Sequence, residues 1–118
     1  MTDQGLQFVR DHITRADLAA LAEATFGDMV KAVVDLERGL MVVGGEMHAD
    51  EEAALLDDGA RQEHLWGINL YPGSDGDAFV EFDSMINVRP RAGNRSRSVE
   101  NPQVQAAIRT LVGRLVRP

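Results

Sequence analysis

The sequence contains no cysteine among its 118 residues. That absence removes disulfide frameworks, thiol nucleophiles, iron–sulfur clusters and cysteine zinc sites, and with them redox chemistry by the chain itself. Positive charge is in deficit, with twelve Lys plus Arg against nineteen Asp plus Glu for a net charge of −7, which opposes sequence-independent attraction to phosphate backbones or anionic lipid. General nucleic-acid binding and membrane association are therefore not expected. No apolar run approaches the roughly 18 residues of a spanning helix. The stretch Met1 to Asp11 has neither the basic nor the apolar region of a secretory leader, and the expected location is cytoplasmic. Aromatic side chains are few, at 5%, but 44% of residues are hydrophobic and 26% charged. That balance predicts one globular domain over residues 1–118 and is too short for two.

The net charge conceals a division. Residues 1–87 carry five basic and eighteen acidic side chains, net −13, whereas residues 88–118 carry seven basic and one acidic, net +6. Lys31 is the single lysine, and the other eleven basic residues are arginine. Arginine presents a planar fork suited to carboxylate and phosphate, so the basic C-terminal part points to specific pairing. The plainest pairing is with the acidic body of the same fold.

Periodicity supplies the elements. Leu6 and Phe8 share one side of a short extended segment at Leu6 to Arg10. Thr14 predicts a helix cap, followed by Leu18, Leu21, Ala22 and Phe26 at helical spacing and a stop at Gly27. Met29 to Leu36 alternates, with Val30, Ala32, Val34 and Leu36 on one face and Lys31, Val33, Asp35 and Glu37 on the other. Glu37-Arg38-Gly39 predicts a turn into a second strand at Leu40 to Val43, ended by Gly44-Gly45. A short helix is expected at Asp50 to Leu56, its early acidic residues Asp50, Glu51 and Glu52 suited to the positive end of the helix dipole. Leu65 to Tyr71 reads as a strand with Trp66, Ile68 and Leu70 on one side, and Phe79 to Arg89 as one long or bent strand ended by Pro90. Asn101-Pro102 predicts the start of a final helix with Val104, Ile108, Leu111, Val112 and Leu115 as its apolar stripe. The sum is an α+β domain with a mainly antiparallel sheet of four or five strands, two longer helices and one short one. Helices are expected on one sheet face and polar side chains on the other.

Three places carry candidate chemistry. On the polar face, Asn69, Tyr71, Glu81, Asp83, Asn87 and Arg89 are expected to project together, with Glu81 and Asp83 as the acid–base pair. A solvated sheet face produces the same alternation without function. The loop Gly93-Asn94-Arg95-Ser96-Arg97-Ser98 precedes a helix start and combines turn formers, forks and hydroxyls, a composition able to hold an anion or to clamp acidic residues. Glu46 and His48, with Asp50, His64 and Asp83, have the nitrogen and oxygen donors of a metal site but no strong ligand spacing.

Several unusual strings occur in one order: FGDMVKAVVDLERGLMVVGGEMHADEE (Phe26 to Glu52), LWGINLYP (Leu65 to Pro72), EFDSMINVRP (Glu81 to Pro90) and GNRSR (Gly93 to Arg97). In these the chain resembles a family of small prokaryotic proteins classed as a domain of unknown function. The resemblance covers nearly all of the chain after Thr14. It implies a small stand-alone prokaryotic protein and carries over no activity, cofactor or catalytic residue.

The leading expectation is a binding protein or small enzyme for a small anionic or phosphate-bearing ligand. Arg89, Arg95 and Arg97 would hold the negative groups, Asn69, Tyr71, Asn87 and Asn94 would orient the ligand, and Glu81 or Asp83 would act as base. One alternative is an interaction or assembly module in which an exposed sheet edge or face meets another copy. The other is a metal-dependent hydrolase centred on Glu46 and His48. The sequence specifies no cofactor.

Overall fold

Thr14 begins the first helix as its position predicts. Its hydroxyl accepts the Asp17 amide at 3.0 Å and so satisfies one of the open amides of the first turn. The computed structural model describes residues 5–118, and the first four residues, part of the stretch read above for a leader, lie outside the described residues. In chain order the elements are β1 (Gln7–Val9), β2 (Ile13–Thr14), α1 (Arg15–Ala24), β3 (Val30–Asp35), β4 (Leu40–Val43), α2 (His48–Asp57), β5 (Leu65–Leu70), β6 (Val80–Glu81), α3 (Pro102–Leu115) and β7 (Val116–Arg117). Short 3-10 turns at Gln62–His64, Gly76–Phe79, Met85–Asn87 and Pro90–Ala92 join them. Five strands form one antiparallel sheet in the order β1-β4-β3-β5-β6, and β2 and β7 make a small parallel pair. This is the α+β architecture that the periodicity predicts. Among the described residues no helix is long and apolar enough to cross a membrane.

One sheet face behaves as expected. Val30, Ala32 and Val34 of β3, Met41 and Val43 of β4, and Ile68 and Leu70 of β5 pack against Leu18 and Ala22 of α1 and Ile108, Leu111 and Leu115 of α3. Helix α3 starts where Asn101-Pro102 places it, with Asn101 Oδ1 accepting the Gln103 amide at 2.8 Å.

The other face corrects the expectation of a polar surface. Val33, Val42 and Leu65 are buried there against Leu55 of α2, with Leu6, Phe8 and Ile86 around them. The sheet is a middle layer, with α1 and α3 on one side and α2 on the other. Alternation marks Val33 as outward-facing, yet the apolar area of Val33 and Val42 favours burial by about 1.5–3 kcal/mol per side chain, and the apolar side of α2 supplies the cover. Helix α2 also starts two residues earlier than expected and buries His48 and Glu51 together with Leu55. Glu51, read with Asp50 and Glu52 as suited to the helix dipole, is fully buried.

Among the described strands' own residues, polar side chains on this second face stand at its two ends. At one end Asp35 is fully buried and accepts the amides of Glu37 and Arg38 and the Arg38 Nε at 2.8–3.1 Å. Arg38 continues to the carbonyl and carboxylate of Asp58, so Asp35 serves the β3–β4 turn and its tie to the end of α2. At the other end lie Lys31, Asn69 and Glu81.

The long strand expected at Phe79 to Arg89 is also corrected. Pairing stops after Glu81, because the Ser84 hydroxyl accepts the Ile86 amide at 3.2 Å and turns the chain into a 3-10 turn. The basic C-terminal part does reach the acidic body, through Arg97 to Asp83 at 2.6 Å and Arg109 to Asp77 at 3.7 Å.

Candidate functional site

Antiparallel register places Lys31 of β3 opposite Asn69 of β5, and Asn69 opposite Glu81 of β6. Residues paired directly across strands share a face, so the three form a polar row across the second face. The Asn69 carboxamide is the hub. Its Nδ2 donates to Glu81 Oε1 at 2.9 Å and to the Asp83 carbonyl at 3.2 Å, while its buried Oδ1 has no hydrogen-bond partner. The Tyr71 hydroxyl donates to the same Glu81 oxygen at 3.0 Å. Partial burial, together with the neighbouring Glu81 carboxylate, raises the Tyr71 pKa, so the phenol stays protonated as a donor.

Helix α2 brings His48 onto this row. The ring is buried, and Nε2 lies 2.8 Å from the Ile68 carbonyl. A carbonyl only accepts, so Nε2 carries the proton and the neutral ring keeps its lone pair on Nδ1. Burial lowers the His48 pKa despite the Asn69 side chain and Asp83 nearby, which keeps the ring neutral at pH 7. No side chain caps the start of α2, whose Ncap position is Met47 and whose first turn carries Asp50 and Glu51, so its first amides have no side-chain acceptor beside His48.

The loop after β6 completes the site. Ser84 is buried against Gly67, and its amide donates to the Arg97 carbonyl at 3.0 Å. A Cβ on Gly67 would stand 2.5 Å from both Cβ and Oγ of Ser84 and 3.1 Å from Ile86. Gly67→Ala is therefore expected to lower stability by about 1–3 kcal/mol through overpacking, seen as a lower urea midpoint. An unchanged midpoint would mean that the Ser84 loop is not fixed against β5. With Ser84 in place, Arg97 reaches Asp83 through Nε and keeps its two Nη groups for other acceptors. Lys31, His48, Ser84 and Arg97 then border a cleft of about 190 Å³, with Met47 and Met85 prominently exposed and Glu46 exposed along its lining.

The expected site residues divide. Asn69, Tyr71 and Glu81 meet as expected, and Asp83 joins Arg97. Asn87 faces the same side but is fully buried, exchanging hydrogen bonds with the amide and carbonyl of Gly67 at 2.8 and 2.9 Å. Asn94 is buried too, donating to the carbonyls of Asn87, Ser96 and Ser98 and accepting the Glu100 amide. Both asparagines shape the loop. The Arg95 amide donates to Glu100, and its side chain is exposed and is not part of the cleft lining. Arg89 lies elsewhere, over the Trp66 ring.

Glu46 and His48 both line the cleft. Among the described residues, however, no three His, Cys, Asp or Glu side chains converge to hold a metal ion. His64 pairs instead with Glu37 and Glu63. Lys31 is the component that the site reading missed. The signal available was a lone lysine on the same strand face as Val33 and Asp35.

Residues 7–115 match the family described as Protein of unknown function (DUF5674). Neither the curated proteins nor the solved structures contain a match to the chain.

Proposed function

The chain belongs to the DUF5674 family, and for it we propose binding of a small molecule through an anionic group, phosphate or carboxylate, in the cleft between α2, Lys31 and Arg97. The observation that carries this reading is the convergence of the single lysine, an arginine and the uncapped start of α2 on one small concavity. The Lys31 ammonium lies over the Phe26 ring at 5.1 Å and has no carboxylate partner among the described residues. In this reading Asp83 orients Arg97 through Nε while the Nη groups face the ligand, and the first amides of α2 offer further donors.

The cleft has room for one anionic group. Any apolar remainder of the ligand would lie against Met47 and Met85, whose flexible thioethers adapt to varied shapes. His48 Nδ1 is the group able to take a proton from a bound molecule. Glu81 is a second, one strand further across the row and joined to it through Asn69.

Calorimetric titration with inorganic phosphate tests the reading. The expected result is one saturable site per chain, weakened roughly tenfold or more, about 1.4 kcal/mol, in Lys31→Ala and in Arg97→Ala, with both variants folded by circular dichroism. Absence of saturable binding, or equal binding by the variants, would overturn it.

A further inference from the structure

A second and larger concavity, about 810 Å³, shares no residue with the cleft. Trp66 and Pro90 give it flat apolar walls, and Arg89 and Arg91 give it charge. Its volume falls within the roughly 300–1,000 Å³ of small-molecule sites, whereas the cleft is smaller than that.

Arg89 is held here in an unusual way. Its guanidinium stacks on the Trp66 ring at 4.2 Å from the ring centre. Nη1 donates to the Gln62 carbonyl at 2.8 Å and Nη2 to the Leu65 carbonyl. A guanidinium has five N–H donors, so three remain, including a buried Nε–H with no partner. No carboxylate forms an ion pair with Arg89 among the described residues, and burial lowers its pKa. A cation fixed by neutral carbonyls and partly removed from water favours an anion that completes its hydrogen bonds. Arg91 is exposed and adds a second positive charge. Glu63, the acidic residue of the lining, lies 3.4 Å from His64.

We propose that this concavity is a second binding site, selective for a small organic anion consisting of a carboxylate on a flat ring. The ring packs between Pro90 and the accessible part of the indole, and the carboxylate accepts from the free Nη donors of Arg89 and from Arg91. The assignment stands independently of the cleft, because none of the residues that carry it lies there.

Trp66 is the only tryptophan in the chain, so its emission, excited at the red edge, reports on the site directly. Benzoate is the probe and benzylamine, with the same ring and the opposite charge, the control. The expected result is a saturable change with benzoate and none with benzylamine. Benzoate affinity should fall roughly fivefold in Arg91→Ala, an exposed position whose change leaves the fold intact. It should fall roughly tenfold in Arg89→Lys, which keeps the charge and loses the planar fork. No saturable change with benzoate, equal response to benzylamine, or unaltered affinity in Arg91→Ala would overturn the proposal.

Discussion

Asn87→Ala is expected to destabilise the protein by about 2–5 kcal/mol, a large fraction of the roughly 5–15 kcal/mol that holds a domain of this kind together. Strand β6 pairs with β5 only at Asn69 and Leu70. The outer edge of β5 continues past that point, and side chains take over the missing ladder. The Asn87 carboxamide accepts the Gly67 amide and donates to the Gly67 carbonyl, as a strand residue would, and the Arg89 Nη2 donates to the Leu65 carbonyl. Asn87 Nδ2 also holds the Arg97 carbonyl at 3.0 Å, so the same group positions the loop that carries Arg97. Alanine leaves the buried Gly67 amide and the Gly67 carbonyl without these partners, and leaves the Arg97 carbonyl with the Ser84 amide alone. Asn87→Asp should fare no better, because a carboxylate cannot donate to either carbonyl. Urea denaturation checks both variants, and a loss below about 0.5 kcal/mol for Asn87→Ala would show that water or a rearranged loop replaces the carboxamide.

Glu51→Gln is expected to change how stability depends on pH. Glu51 is fully buried, its Oε2 accepts the Gly45 amide at 2.9 Å and its Oε1 has no partner. Burial holds its pKa well above the ordinary value of 4.5, with the Gly45 amide and Lys31 acting in the opposite direction. The folded chain therefore keeps a proton that the unfolded chain releases near pH 4.5. The stability this provides is complete below that pH and is lost as pH rises through the folded value, at up to about 1.4 kcal/mol per pH unit. Glutamine cannot ionise and still offers an oxygen to Gly45. Denaturation curves at pH 5, 6, 7 and 8 should therefore diverge, with Glu51→Gln gaining on the parent protein as pH rises. Asp11, Asp58 and Glu100, whose carboxyl groups are held below their ordinary values by hydrogen bonds, are common to both proteins and cancel. Parallel curves would mean that Glu51 ionises freely in the folded state.

Local signals were legible where one side chain acts on its own backbone. Thr14 and Asn101 cap the helices they were expected to cap, β4 has the expected limits Leu40–Val43, and the alternation of β5 put Ile68 and Leu70 on the core side. Illegible features depend on docking between distant segments. Alternation cannot reveal that α2 covers Val33 and Val42, because its cover comes from residues such as Leu55. The same docking places His48 on Ile68 and buries Glu51, which in sequence are two polar residues of a short helix. After Glu81, apolar alternation through Val88 suggested more strand. Ser84 instead diverts the backbone, and Asn87 and Arg89 supply hydrogen bonds from side chains, so Arg89 ends on Trp66 and not beside Glu81.

Amide chemical-shift mapping with inorganic phosphate tests the central claim, an anion site at the start of α2 between Lys31 and Arg97, most directly. Saturable shifts confined to Lys31, His48, Ala49, Ser84 and Arg97 are the predicted result. Shifts that spread over the exposed arginines Arg91 and Arg95 while these five stay still, or no shifts at all, would contradict it.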